Sequence, residues 1–301
     1  MEAGALPELK GDGRLSRLDK SDRMVLAFVA VFICVAIACN FKSQIIWTPS
    51  IWTMLWVPAS LACISAYYLL RRPNERKPIE LTLYVGLWLV YPLFGTQLTY
   101  IANAWNFPLQ DDLFNALDTR VGFDWSAYAG VQDRMPWLHA VAFFIYASSY
   151  IQPFISVCII AFTDRRGKNA TLVIANLLAL LVTLIISGLM PSTGPMELHH
   201  RANPWSPVTY ALRAGEHGPL PYVGIITFPS FHAVMAVQFT LIHFGNRPVF
   251  YTFAVLNTMM LATLPYPGGH YLIDVFAGAI IGLAAYWTAQ KFLTAAHPNS
   301  C

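Results

Sequence analysis

Charge is scarce in this 301-residue chain. Only 12% of its residues are Asp, Glu, Lys or Arg, about half the share of a soluble domain, which excludes an ordinary globular fold. The net charge of +3 is thinly spread, too little for a nucleic-acid surface. Cysteine is sparse as well: there are five and no CxxC pair, so neither a disulfide framework nor a zinc site is signalled. Cys34, Cys39, Cys63 and Cys158 lie in apolar stretches, as small fillers of helix interfaces do. No internal repeat of the kind that marks many transporters is present. What remains is apolar: 56% of residues are hydrophobic, with nine Trp, fourteen Tyr and nineteen Phe, and the mean hydropathy is +0.50. Such a composition belongs to a chain that crosses a bilayer several times, with aromatic residues at both interfaces.

Apolar runs near the ~20 residues needed to span a bilayer occur at 24–41, 51–70, 80–103, 137–162, 169–190, 230–245, 248–264 and 270–292. They predict an all-α polytopic membrane protein of about eight transmembrane helices. The fourth run carries Gln152-Pro153 and is expected to kink there. The sixth and seventh are short and joined by Gly245-Asn246-Arg247, a tight helical hairpin. The expected organisation is a cytoplasmic tail over 1–23, N-terminal membrane helices over 24–105, and a catalytic helical bundle over 106–295. With the N-terminus inside, fourteen of the nineteen Lys and Arg fall on the cytoplasmic side. The positive-inside rule then places both termini in the cytoplasm of a cell (inner) membrane.

Two segments on the other side are more than simple connections. Leu109, Leu113, Leu117 and Val121 recur at helical spacing with Asp111, Asp112, Asp118 and Arg120 between them. That pattern fits an amphipathic helix on the membrane surface, and equally a partner-binding helix or a capped loop. The extracytoplasmic loop 191–228 is rich in Pro and Gly and holds His199, His200, Arg201, Arg213 and His217. A loop of that length is usually functional or disordered.

Ionisable residues inside spans are costly, so each is a candidate for function. Asp274 is the one carboxylate well inside an apolar run, four residues after His270, so both side chains share a helix face. A carboxylate there can accept the imidazole Nδ1–H and leave Nε2 free to attack; a buried ion pair that only joins helices has the same spacing. His232 and His270 are separated by one crossing out and one back, so both emerge on one membrane face at the starts of their helices. Pro229-Ser230 precedes the first and Gly268-Gly269 the second. Helix N-termini favour a bound phosphate, so two termini with two imidazoles suggest phosphoryl transfer. A metal site is the weaker alternative with a single carboxylate. His139 and His243 read as packing residues.

Phe228-Pro229-Ser230-Phe231-His232-Ala233 and Gly269-His270-Tyr271-Leu272-Ile273-Asp274-Val275 resemble the second and third motifs of the type 2 phosphatidic acid phosphatase superfamily. Their details look most like its inositol phosphorylceramide synthase-like bacterial branch. Met190-Pro191-Ser192-Thr193-Gly194-Pro195 sits where that branch carries a Pro-rich stretch. The resemblance covers roughly 110–290. It implies that His270 is a nucleophile that becomes phosphohistidine and that Asp274 orients it. It further implies that His232 is the general acid and that Ser230 binds a phosphoryl oxygen, with no metal and no cofactor.

The chain departs from the better-known phosphatases of that superfamily. Their first-motif Lys and Arg-Pro have no counterpart, and Thr263-Leu264 stands where they carry Ser-Arg. A phosphate dianion wants cations in its transition state. Arg213 and, less favoured, Arg201 are the candidates, with Gly269 supplying backbone; solvated loop charges would look the same in sequence. The expected activity is release of phosphate from a membrane lipid phosphate at the extracytoplasmic face. The alternatives are transfer of a phosphoalcohol headgroup to an acceptor lipid, and a transporter with a His–Asp proton relay.

Overall fold

The computed structural model describes residues 18–46, 53–163, 165 and 167–296. Most of the tail read over 1–23 and the start of the second apolar run lie outside them. The described residues form helices joined by turns and loops, with no strand among them. The long apolar ones are α1 (Lys20–Ser43), α2 (Trp56–Arg71), α3 (Arg76–Asn103), α8 (Lys168–Leu189), α12 (Arg247–Thr263) and α13 (Leu272–Ala296). Between them lie α4 (Asp111–Arg120), α5 (Trp125–Arg134), α6 (Pro136–Ala147), α7 (Gln152–Phe162), α9 (Pro195–Leu198), α10 (Ser206–Arg213) and α11 (Phe231–Leu241).

Every apolar run of the sequence thus carries helix, but not every one can span alone. By length and composition four helices among the described residues can cross a membrane: α1, α3, α8 and α13. The fourth run is α6 and α7, bent by 52° at a break that holds a turn of 3₁₀-helix at Ser148–Tyr150. Counted as one span, the pair makes five among the described residues, and the other apolar runs carry the shorter helices α2, α11 and α12. α11 has only 11 residues, about 16 Å at 1.5 Å per residue, because turn residues occupy both ends of its apolar run.

Helix α8 is the centre of the bundle, packed against α13, α3 and α11, and most of its side chains are buried. The outward faces are apolar too: Val31 is 64% exposed and Ile280 68%. A surface of that kind is soluble only in lipid. α11 meets α13 at very close range. A Cβ at Gly278 would collide with the Ser230 carbonyl oxygen, and one at Gly282 would stand 2.9 Å from that of Val234. This small-xxx-small contact is the usual means by which membrane helices bring their backbones together. Here it seats the start of α11 on the first turns of α13.

The two ends of the bundle differ in charge. At one end Arg76 pairs with Asp19, and Arg165 and Lys168 donate to the carbonyls of Ile242, Phe244 and Gly245 that close α11. Cations at a helix C-terminus complement its dipole. The other end holds His232, His270 and the segment 191–228. That segment folds back as α9, α10 and extended chain. Tyr100 fastens it, with its hydroxyl donating to Pro221 O (2.5 Å) and accepting from Val223 N (2.9 Å). The Tyr222 hydroxyl meets Pro92 O at 3.2 Å.

Helix α4 forms over the predicted segment, but its faces are used differently from a plain interfacial helix. Asp111, Phe114 and Asp118 turn inward and are buried, while Leu113 and Val121 are exposed. Two carboxylates and Phe114 are spent on the protein, and Asp112, Leu113 and Val121 are left outside.

Candidate active site

His270 stands on the turn between α12 and α13, 2% exposed. Its Nδ1 lies 2.9 Å from the Thr227 carbonyl oxygen and 3.4 Å from Asp274 Oδ2. A carbonyl can only accept, so Nδ1 carries the hydrogen and Nε2 the lone pair. The expected Nδ1–Asp274 contact is therefore present as the longer of two. Asp274 Oδ2 is shared with the Tyr271 N–H at 2.8 Å, and the backbone carbonyl of Thr227 is the closer partner. Nε2 faces Ser230 Oγ at 3.2 Å.

Ser230 is the N-cap of α11, its hydroxyl accepting from Ala233 N, and its own N–H donates to the Asp274 carbonyl at 3.0 Å. The preceding Phe228–Pro229 peptide is cis. His232, two residues into the turn, has its ring centroid 6.2 Å from that of His270. Tyr146 packs on its ring at 4.4 Å and Tyr150 meets it edge-on at 6.1 Å. His232 Nε2 is buried with no hydrogen-bond partner among the described residues. Sequence reasoning missed both tyrosines, which come from the broken fourth run; the break itself was the only signal.

The two helix starts are not equivalent. At α13 the N–H groups of Leu272 and Ile273 donate to Asp118 at 2.7 and 2.9 Å. With Tyr271 N held by Asp274, that terminus is already capped by carboxylates. Burial pushes the pKa of Asp118 up, and the two amide hydrogen bonds pull it back down. At α11 the recorded first-turn cap is Ser230 Oγ on Ala233 N, and the N–H groups ahead of it belong to the open end of the helix. Of the two helix starts expected to receive a phosphate, that of α13 is thus already occupied by protein carboxylates.

Both histidines border a cavity of about 570 Å³, in the range of small-ligand pockets. Its inner wall carries Trp88, Pro92, Phe154, Leu180 and Met235 with Thr96, Thr99 and Asn176 among them; its roof is the 191–228 segment, with Thr193, Trp205, Ser206 and Thr209. Gly269 lies on the border beside His270. No Lys, Arg, Asp or Glu is among the described residues that line it.

The structure therefore brings His270, His232, Asp274, Ser230 and Gly269 together and leaves Arg201 and Arg213 outside the cavity lining. Arg201 pairs with Asp133 at 2.7 Å and lies over the rings of Trp125 and Tyr266. The Tyr266 hydroxyl, and after it Arg201, hold the Asp133 pKa below the ordinary carboxylate range. That cluster braces the α12–α13 turn from outside, since Trp125 Nε1 donates to Pro265 O at 2.7 Å. Arg213 closes α10. Of the other histidines, His243 is buried against Ser156 and Phe253, His139 packs on Tyr266 and His199 stacks on Trp125.

The site is thus a pair of histidines that borders a cavity inside a bundle of apolar helices. Residues 113–288 match the PAP2 superfamily, more than half of the chain, and the chain belongs to that superfamily. Its function is of the phosphatase or phosphotransferase type. Neither curated proteins nor solved structures gave a match.

Proposed function

We propose that this protein is an integral membrane lipid phosphate phosphatase that works through a phosphohistidine on His270. The observation that carries the proposal is the fixed tautomer: Thr227 O holds Nδ1–H, which leaves the Nε2 lone pair for attack on a ring that borders the cavity with His232 beside it. In the first step Nε2 attacks phosphorus, the bond from phosphorus to the lipid oxygen breaks, and His232 gives its proton to that oxygen. The imidazolium-like Nδ1–H that results is stabilised by Thr227 O and Asp274. In the second step water attacks the phosphohistidine while His232 takes its proton, and inorganic phosphate leaves. Ser230 Oγ and the open first turn of α11 receive the phosphoryl oxygens. The reaction so written uses no metal and no cofactor. The mainly apolar inner wall of the cavity supports a lipid as the leaving alcohol.

One observation favours a second reading. A cavity lining without cations suits a phosphodiester monoanion better than a monoester dianion. With an alcohol in place of water, the same two steps would move a phosphoalcohol headgroup onto an acceptor lipid, as the likeness to the inositol phosphorylceramide synthase-like branch suggests. Purified protein in detergent, given phosphatidic acid or an isoprenoid phosphate, is expected to release inorganic phosphate, and His270→Ala is not. No release there, with headgroup transfer from phosphatidylinositol to a ceramide or diacylglycerol, would replace the phosphatase with the transferase.

We further propose that the histidine end of the bundle is extracytoplasmic, because the opposite end gathers Arg76, Arg165 and Lys168 as cytoplasmic ends do. Cysteine placed at Gly218 should then react with a membrane-impermeant thiol reagent in whole cells and cysteine at Asn74 should not. The reverse pattern would invert the orientation.

A further inference from the structure

The catalytic turn has a support that the two histidine motifs do not include. Asp111, on the first turn of α4, is 8% exposed, and a carboxylate buried to that degree is tolerated only when donors surround it. Oδ1 accepts from Ser192 Oγ (2.7 Å), Gly194 N (2.8 Å) and the Tyr271 hydroxyl (3.1 Å), and Oδ2 from Thr193 N (3.1 Å). Four donors thus converge from the Pro-rich stretch and from the residue next to His270. From Ser192 the connection continues inward. Its carbonyl accepts from Thr227 Oγ1 at 3.1 Å, and the Thr227 carbonyl is the acceptor of His270 Nδ1–H at 2.9 Å. The Pro-rich stretch also lies hard against the catalytic turn. Gly194 has φ +92°, and a Cβ there would stand 2.6 Å from the Gly269 carbonyl oxygen, so only glycine fits.

We propose that Asp111 is a positioning residue for the nucleophile: through Ser192 and Thr227 it fixes the carbonyl that orients the His270 ring. Asp111 touches neither the cavity nor the reacting atoms. It acts on the ring through Thr227 and on the adjacent backbone through Tyr271, while Asp118 on the same helix holds Leu272 and Ile273. The alternative is a purely structural anchor, whose loss lowers the amount of folded protein and leaves the turnover of each folded molecule unchanged. This inference rests on the phosphohistidine reading of His270.

The test compares Asp111→Asn, which sets an amide NH₂ among groups that donate, with a pair of variants at Thr227. Thr227→Val removes the hydroxyl that reaches Ser192 at nearly constant volume, and Thr227→Ser keeps it. Turnover of phosphatidic acid is measured per mole of folded detergent-solubilised protein, beside His270→Ala. Asp111→Asn and Thr227→Val should each lower kcat by a factor on the order of 10 to 100, the scale of a misplaced reacting group. KM should stay within about twofold, and Thr227→Ser should stay near wild type. The double variant Asp111→Asn/Thr227→Val should lose little more than either alone, as expected for members of one connected unit. Wild-type kcat in Asp111→Asn or in Thr227→Val, with His270 still essential, would overturn this inference and leave the phosphohistidine reading standing. Equal losses in Thr227→Val and Thr227→Ser would also overturn it, since the hydroxyl would then not matter. Turnover that survives in His270→Ala would instead remove the reading beneath it. If Asp111→Asn fails to fold, the Thr227 pair decides.

Discussion

Replacing His270 by alanine is expected to lower kcat by a factor on the order of 10⁵ to 10⁶, the scale on which covalent enzymes lose activity with their nucleophile. The expectation follows from geometry. The ring is buried and borders the cavity, its Nδ1–H is held by Thr227 O, and Nε2 is the atom turned toward Ser230. No other described side chain offers a lone pair in that place with its tautomer fixed. Asp274→Asn should be milder, because the Thr227 carbonyl holds the ring independently of the carboxylate, which is the longer contact at 3.4 Å. Measured kcat for phosphate release, with folded protein quantified by size-exclusion chromatography, checks the first value. Residual turnover within tenfold of wild type would remove His270 from the chemistry.

His232→Ala is the second large effect, and its size should depend on the leaving group. General acid catalysis typically contributes 10² to 10⁴. With a lipid alcohol as leaving group the variant should lose activity on that scale, since an alkoxide cannot depart without a proton. With nitrophenyl phosphate the leaving oxygen needs little help, so much of the loss should be recovered. His232 is suited to the role by its place: Nε2 has no hydrogen-bond partner among the described residues to compete with the substrate, and Tyr146 and Tyr150 fix the ring from two sides. Equal losses on both substrates would make His232 a packing or binding residue and leave the proton to another donor.

Much of this site was legible in the sequence because its principal spacing is local. His270 and Asp274 are four apart on one helix, and the motif around Ser230 and His232 is contiguous. What could not be read is what depends on tertiary contact or on backbone. Thr227 meets the ring through its carbonyl and Ser192 through its hydroxyl, and both partners are distant in sequence, so nothing local announces the role. Asp111 and Asp118 were visible as acidic residues on an amphipathic helix, but which face met the protein depended on how α4 docks. Arg201 was a plausible cation until Asp133, distant in sequence, proved to be its partner. Hydropathy located the apolar helices, but it could not separate the residues that cross from those that turn, as at the two ends of α11. Gly278 and Gly282 were present as a pattern, but only the backbone of α11 against them shows why they are small.

The central claim is that phosphorus passes through His270, and trapping tests it most directly. Protein turning over phosphatidic acid labelled in its phosphate is quenched in alkali, which preserves a phosphorus–nitrogen bond, and the label is then located by peptide mapping. The account predicts one labelled peptide, containing His270, that loses its label in acid and is absent from His270→Ala. Label on another residue, or active protein that never carries label, would contradict it.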